Sequence, residues 1–227
     1  MRVIQQSVMQ RLYSSDVWDG FNPSYLPKAV QGWNGDHPSL SRVAGGPGSK
    51  IVVDVGVWKG QSTIAMAKAM KQSGIDGCVI AVDTFLGSPE HWNGSPHLFV
   101  RQHGLPDLYQ QFMSNVYHAG VKDYVIPLPQ TSIAAAELLQ RAEISAFMAH
   151  VDAAHEYEEV IRDAEAYWKI LLPGGWLIGD DYHATWPGVV RAAGEFSARH
   201  RTAMHIESPK WIVRKPALRG VTSGEGN

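Results

Sequence analysis

From residue 50 onward, short branched-apolar runs alternate with longer amphipathic stretches, and several of the apolar runs end in aspartate. Residues 50–55 read as a strand and 61–72, rich in alanine and methionine, as a helix. Further strands are expected at 78–82, 124–126, 144–151 and 176–179, with helices at 108–118, 132–141, 156–170 and 187–199. Segments 202–206 and 211–214 read as a closing hairpin, and Leu-Leu-Pro-Gly-Gly at 171–175 is expected to break regular structure. Such alternation calls for an α/β fold, a Rossmann-like, doubly wound, mostly parallel sheet with helices on both faces. Ligands then belong outside the carboxyl ends of the strands. Asp54, Asp83, Asp152, Asp180 and Asp181 fall at or just past those ends, forming an acidic rim that needs hydrogen-bond donors or a cation.

Residues 1–45 mix aromatics with turn formers and read as an N-terminal cap or lid of ordered loops with one short helix. The main domain is expected at 46–216, and 217–227 as a flexible tail. Residues 86–105 form a loop insertion longer than the usual 2–6 residues of a βα connection, a length that often covers a site. Apolar residues make up 44% and charged residues 19% of the chain, which rules out wholesale disorder. Twenty basic against 22 acidic residues leave a net charge of −2 and no broad attraction for nucleic acid. Cys78 is the single cysteine, so no internal disulfide framework or cysteine-rich zinc site exists. No signal peptide is recognised in 1–17, and no run approaches the ~20 apolar residues of a membrane span. The expectation is a cytoplasmic protein acting on a small molecule, away from membranes, with a homo-oligomer left open.

Two constellations carry chemistry. The turn Asp54-Val55-Gly56-Val57-Trp58-Lys59-Gly60-Gln61-Ser62 joins a strand to a helix, and glycine lets a ligand approach its backbone. Asp83 ends the next strand, where a carboxylate suits both hydroxyls of a ribose. Thr84 follows it, and Gln130, Thr131 and Ser132 stand at the next strand-to-helix junction, where helix capping and adenine contact are both open. Neither the dinucleotide fingerprint nor the P-loop pattern is present, which favours a cofactor with one nucleoside and no pyrophosphate. Asp152, Asp180 and Asp181 are three carboxylates at neighbouring strand ends, suited to a hard divalent cation such as Mg2+. His155 lies three residues past Asp152, where a neutral imidazole can take a proton from a hydroxyl. The plainer alternative has Asp152 capping a helix, His155 packing on it, and the acid pair shaping a turn.

Val53-Asp54-Val55-Gly56-Val57-Trp58-Lys59-Gly60, Ala81-Val82-Asp83-Thr84-Phe85-Leu86-Gly87, the run 152–160 and Gly179-Asp180-Asp181-Tyr182 together resemble the class I S-adenosylmethionine-dependent methyltransferases. Within them, the chain looks like a small-molecule subgroup related to metal-dependent macrolide-sugar and catechol O-methyltransferases. The resemblance implies a seven-stranded sheet with an antiparallel strand near the C-terminus, and makes 46–216 the methyltransferase domain. It implies methionine-moiety contacts at Asp54 and Gly56, with Gly60 and Ser62 in the same turn. Ribose contact is implied at Asp83, and adenine contacts at Thr84 and Gln130 to Ser132. Magnesium is implied at Asp152, Asp180 and Asp181. Catechol enzymes carry a lysine base three residues past the first metal acid, where this chain has His155, so His155 is read as the base and Asp152 as second choice. The implied function is metal-assisted methyl transfer from S-adenosylmethionine to a hydroxyl of a small molecule, with a sugar-bearing natural product or a phenol as candidate acceptors. A metal-independent methyltransferase, an NAD-dependent oxidoreductase and a non-catalytic small-ligand binding protein are the alternatives. Trp33, Trp58, His91, Trp92, His97, His103 and Tyr182 are candidate acceptor-pocket residues, while Trp168 and Trp211 read as core.

Overall fold

The computed structural model describes residues 2–23, 26, 28–48, 50–93 and 98–217. His97 and, apart from Ala217, the expected tail lie outside the described residues. Two helices come first, α1 (Val3–Tyr13) and α2 (Pro38–Ala44). Then follow β1 (Lys50–Val55), α3 (Gln61–Gln72), β2 (Gly77–Asp83), the short α4 (Pro89–Asn93), and the two-residue strands β3 (Arg101–Gln102) and β4 (Leu105–Pro106). Next come α5 (Leu108–His118), β5 (Val125–Pro129), α6 (Ser132–Arg141), β6 (Ala146–Val151) and α7 (Tyr157–Ile170). The chain closes with β7 (Leu171–Gly179), α8 (Pro187–Arg199), β8 (Met204–Glu207) and β9 (Lys210–Arg214).

Seven strands form one sheet in the order β5-β2-β1-β6-β7-β9-β8. The first five run parallel, β9 is antiparallel to β7, and β8 is antiparallel to β9. From β1 the chain moves one way to β2 and β5, then returns to lay β6 and β7 on the other side. Right-handed crossovers taken in opposite directions place α3 and α7 on opposite faces. Strand order reverses between β1 and β6, so the crevice belongs above the carboxyl ends of those two strands.

Both faces of the central strands are covered, which is why they read as continuous apolar runs. Val52, Val53, Val79, Ile80, Ala81, Met148 and Ala149 are fully buried. Polar residues also enter this core. Asp54 and His150, register partners across β1 and β6, are also fully buried.

The structure departs from the sequence reading in β7 and at the N-terminus. The Pro173-Gly174-Gly175 break lies inside β7: pairing with β6 jumps from Ala146↔Leu171 to Met148↔Trp176, so the proline and glycines are absorbed as an irregularity within the strand. Residues 1–45 hold two helices where one short helix is expected, and α1 with the chain that follows it covers the edge strand β5. Gln5 Nε2 donates to the carbonyls of Lys122 and Val125 at 2.8 and 3.2 Å. Trp18 Nε1 donates to Val125 at 2.9 Å, and Tyr13 hydroxyl to Pro127 at 2.6 Å. Side-chain donors thus satisfy the open edge that would otherwise invite pairing with another chain.

Candidate active site

The β1–α3 turn is held from both sides. Gly56 sits at φ 82° and Gly60 at φ 92°, left-handed conformations that suit glycine. A Cβ on Gly56 would lie 1.9 Å from the carbonyl oxygen of Asp152, and Asp152 N–H donates to Val55 O at 2.9 Å. The glycine therefore lets the turn press against the exit of β6. Asp54 does not reach the cleft with its side chain. Its Oδ2 accepts from Ser62 Oγ at 2.8 Å and Thr63 Oγ1 at 2.5 Å, and its Oδ1 from His150 Nδ1 at 2.7 Å. Asp54 and Ser62, read from sequence as cofactor contacts, are turned inward and brace the start of α3 against the sheet. The physical reason is that a strand buried on both faces gives no alternation from which side-chain direction can be read.

Asp83, at the end of β2, accepts the backbone N–H of Trp58 and of Phe85, each at 2.8 Å. Burial pushes its carboxyl up, and those two N–H groups pull it partway back. Each carboxylate oxygen can still accept a further hydrogen bond. Beside it, Thr84, Gln130 and Thr131 are exposed, and Gln130 N–H donates to Asp83 O at 3.0 Å. Thr131 caps α6 through its hydroxyl, which accepts from Ala134 N at 3.4 Å. Ser132 instead turns toward α7, its carbonyl accepting from Tyr167 hydroxyl at 2.8 Å.

The acids at the ends of β6 and β7 separate into two groups that share Asp152. His150, Asp152 and Asp180 form one, and Asp152, His155 and Asp181 the other; within each, the candidate ligand atoms lie within 4.8 Å of one another. The expected trio of Asp152, Asp180 and Asp181 does not close as a single set. Asp180 is buried, with Oδ1 accepting Asp181 N–H at 2.8 Å and Oδ2 paired with Lys210 Nζ. Lys210 is fully buried, and its ammonium also lies 3.0 Å from His150 Nε2. An ammonium has only donors, so His150 Nε2 must be the acceptor and Nδ1 carries the proton given to Asp54. His150 is held neutral by burial first and by Lys210 second, both of which lower its pKa. Asp152, half-buried, has a carboxyl pushed well above the usual range by desolvation and then by the charge of Asp180; Lys210 opposes the shift.

The outer group faces solvent. Asp181 adopts φ 58°, and its Oδ2 accepts from His155 Nε2 at 2.8 Å. The imidazole stacks on the exposed Trp186 with ring centroids 4.2 Å apart and planes at 20°. His150 and Lys210 were not read from the sequence as site residues. The one available signal was that His150 interrupts an apolar run two positions before Asp152, as Asp54 does two positions before Gly56.

Two segments reach over the β1–α3 turn. Trp58 Nε1 donates to Gln31 Oε1 at 2.5 Å, and Gly35 N–H to Gln61 Oε1 at 3.3 Å. From the long loop, His91 packs 4.4 Å from the Trp58 ring and stacks with Trp33 at 6.0 Å. Lys59 Nζ donates to Leu98 O and ties the same loop down. Trp92 is exposed, with Nε1 donating to Leu86 O at 2.8 Å, and His103 is also exposed. Tyr182 donates its N–H to Pro209 O at 2.8 Å. Trp168 and Trp211 are core residues.

A family model described as a methyltransferase domain matches residues 53–182. The chain belongs to that family. Both halves of the methyltransferase's rim fall inside the match, from the residue before Asp54 to the residue after Asp181. Solved structures similar to the methyltransferase include the O-methyltransferase NovP, at 20% identity and TM-score 0.58 over 78% of each chain. TomG from Streptomyces achromogenes, an O-methyltransferase involved in tomaymycin synthesis and solved with S-adenosylmethionine, is similar at 14% identity and TM-score 0.56. That match covers 94% of this chain and 89% of TomG. The calicheamicin methyltransferase CalS11 is similar at 16% identity and TM-score 0.55, over 78% of this chain and 76% of its own. At these identities the likeness is one of fold. No curated protein matches the methyltransferase. Among the described residues, no helix is long and apolar enough to cross a membrane.

Proposed function

We propose that this methyltransferase moves the methyl group of S-adenosylmethionine to a hydroxyl oxygen of a small molecule, with His155 taking the proton. The observation that carries the reading is the His155–Asp181 hydrogen bond of 2.8 Å beside Asp152, on the same rim as Asp83. S-adenosylmethionine supplies a methyl group made electrophilic by its sulfonium. Asp83 would accept the ribose hydroxyls, while its bond from Trp58 N–H keeps the turn in place. Thr84, Gln130 and Thr131, exposed beside Asp83, would hold the adenine, with Ser132 supporting them from the start of α6. Gly56 and Gly60 shape the turn, with Asp54 and Ser62 bracing it from behind. Asp152 and Asp181 suit a hard cation such as Mg2+, since each offers a carboxylate oxygen and these lie within 4.8 Å of one another. Such an ion, when bound, would lower the pKa of an acceptor hydroxyl.

His155 Nε2 lies 2.8 Å from Asp181 Oδ2, and a ring that donates Nε2–H there is oriented by the carboxylate to act as the base. Asp181 and Trp186 fix the ring's direction. Holding donor and acceptor in one cleft makes the transfer effectively unimolecular. A sugar-bearing natural product or a phenol suits the exposed aromatic residues Trp33, Trp92 and Trp186. The similar structure of CalS11, a TDP-rhamnose 3'-O-methyltransferase, favours the sugar. A metal-independent reaction is the second reading, favoured by the Asp181–His155 pair, which needs no ion to orient the base. The test is radiolabelled methyl transfer to a panel of glycosides and phenols, with and without chelator. Turnover that stops on chelation and returns with Mg2+ supports the first reading. Turnover indifferent to chelator supports the second, and no turnover with an intact donor site refutes both.

A further inference from the structure

We infer that Lys210 is a built-in cation of the acidic rim: its ammonium occupies Asp180, so that Asp180 positions its neighbours and a divalent ion is held by Asp152 and Asp181 instead. The inference rests on the metal-assisted reading. Lysine is rarely buried without a partner, and Lys210 is fully buried at the first position of β9. Its Nζ contacts two of the three residues of the inner group, Asp180 Oδ2 and His150 Nε2. A divalent ion placed there would have to displace the ammonium or sit beside it, like charge against like charge. The remaining oxygen of Asp180 already accepts Asp181 N–H at 2.8 Å, a bond that helps hold Asp181 in its left-handed conformation. His150 spends its second nitrogen on Asp54, which in turn receives Ser62 and Thr63. Lys210 is therefore a positioning residue: one buried chain runs from β9 through β7, β6 and β1 to the start of α3.

The experiment measures Mn2+ alone binding to the full chain, by the loss of the free-ion paramagnetic resonance signal. Asp181→Asn is expected to weaken binding by roughly tenfold or more, as removal of a ligand does. Lys210→Met is expected to tighten it, because a positive charge leaves and Asp180 becomes able to ligate; Lys210→Arg, which keeps the charge, is expected not to. Losing one partner of a buried pair is destabilising, so the deciding variant removes both. Lys210→Met with Asp180→Asn replaces a buried pair by neutral groups and should fold, keeping the parent's Mn2+ affinity within about threefold. A loss of roughly tenfold or more in that double variant would show that Asp180 is a ligand and overturn the inference. A parent that binds no Mn2+ refutes the metal-assisted reading itself. In that case Lys210→Met that gains a Mn2+ site still upholds the lysine's role, and one that gains none overturns it.

Discussion

Replacing Gly56 with alanine tests how closely the donor turn and the acidic rim are joined. Gly56 has φ 82°, and placing an L-residue in a left-handed conformation costs about 1–2 kcal/mol. The new Cβ would stand 1.9 Å from Asp152 O, whereas a carbon–oxygen contact normally settles at about 3.3–3.6 Å. Asp152 O is backbone and a Cβ is fixed rigidly to its own Cα, so the relief must come from moving the exit of β6 away from β1 by more than an ångström. Overpacking of that kind costs about 1–3 kcal/mol. Together the two effects come to about 2–5 kcal/mol, against a total stability of about 5–15 kcal/mol for a folded domain. For a chain of this size that is a fall in Tm of about 4–20 °C. Because Asp152 itself moves, turnover should fall further than stability requires, by about a hundredfold for an ångström of misplacement. Thermal melting and methyl-transfer rates on the folded fraction give the two readouts. Gly194→Ala is the control, since nothing lies within 4 Å of a Cβ there and the residue is inside α8. A Gly56→Ala protein that melts with the parent and turns over normally would refute the claim that this contact sets the site.

The remaining predictions separate the roles of individual residues. His155→Ala should lower turnover by about 10²–10⁴-fold with donor affinity unchanged by calorimetry, and an unaltered rate would remove it as the base. Asp83→Ala should weaken donor binding, because the ribose acceptor and the tie to Trp58 N–H go together; unchanged binding of S-adenosylhomocysteine would place the donor elsewhere. Asp163, on α7, is buried, and burial raises its pKa above the usual carboxylate range. Such a group contributes stability that is present below its unfolded pKa of about 3.9 and lost as pH rises through the folded value. Asp163→Asn should therefore be more stable than the parent at pH 7, with the gap closing below about pH 4, as read from denaturation midpoints across pH. A variant less stable at neutral pH would show that the ionised carboxylate contributes more than its burial costs.

Much of the fold was legible because its parts obey local rules. Lys50–Val55, Gln61–Gln72, Leu108–His118, Ser132–Arg141 and Pro187–Arg199 lie where branched-apolar runs and amphipathic stretches put them. Helix α1 was not legible, since what orders Gln5, Tyr13 and Trp18 is a set of carbonyls on β5, more than a hundred residues away. At the site, positions just past strand ends were readable from the aspartates themselves. Asp83, Asp152, Asp181 and His155 stand at the rim. Directions inside the strands were not readable. Asp54 points into the core, where its partners come from α3 and β6, and only the assembled sheet brings them to one carboxylate.

Lys210 shows why strand polarity decides which residues meet. In the parallel part of the sheet, rim residues come from the carboxyl ends of strands, where the aspartates of this sequence stand. Strand β9 runs the other way, so its first residue, not its last, lies beside the end of β7. The register is locked by Gly179, which pairs with Trp211; a Cβ on Gly179 would fall 2.1 Å from that indole. With Trp211 seated over the glycine, Lys210 is delivered beside Asp180, the residue that follows Gly179. The antiparallel strand thus lets the fold add a cation to a rim otherwise built from acids, at a position that looks like an ordinary strand start until the pairing is known.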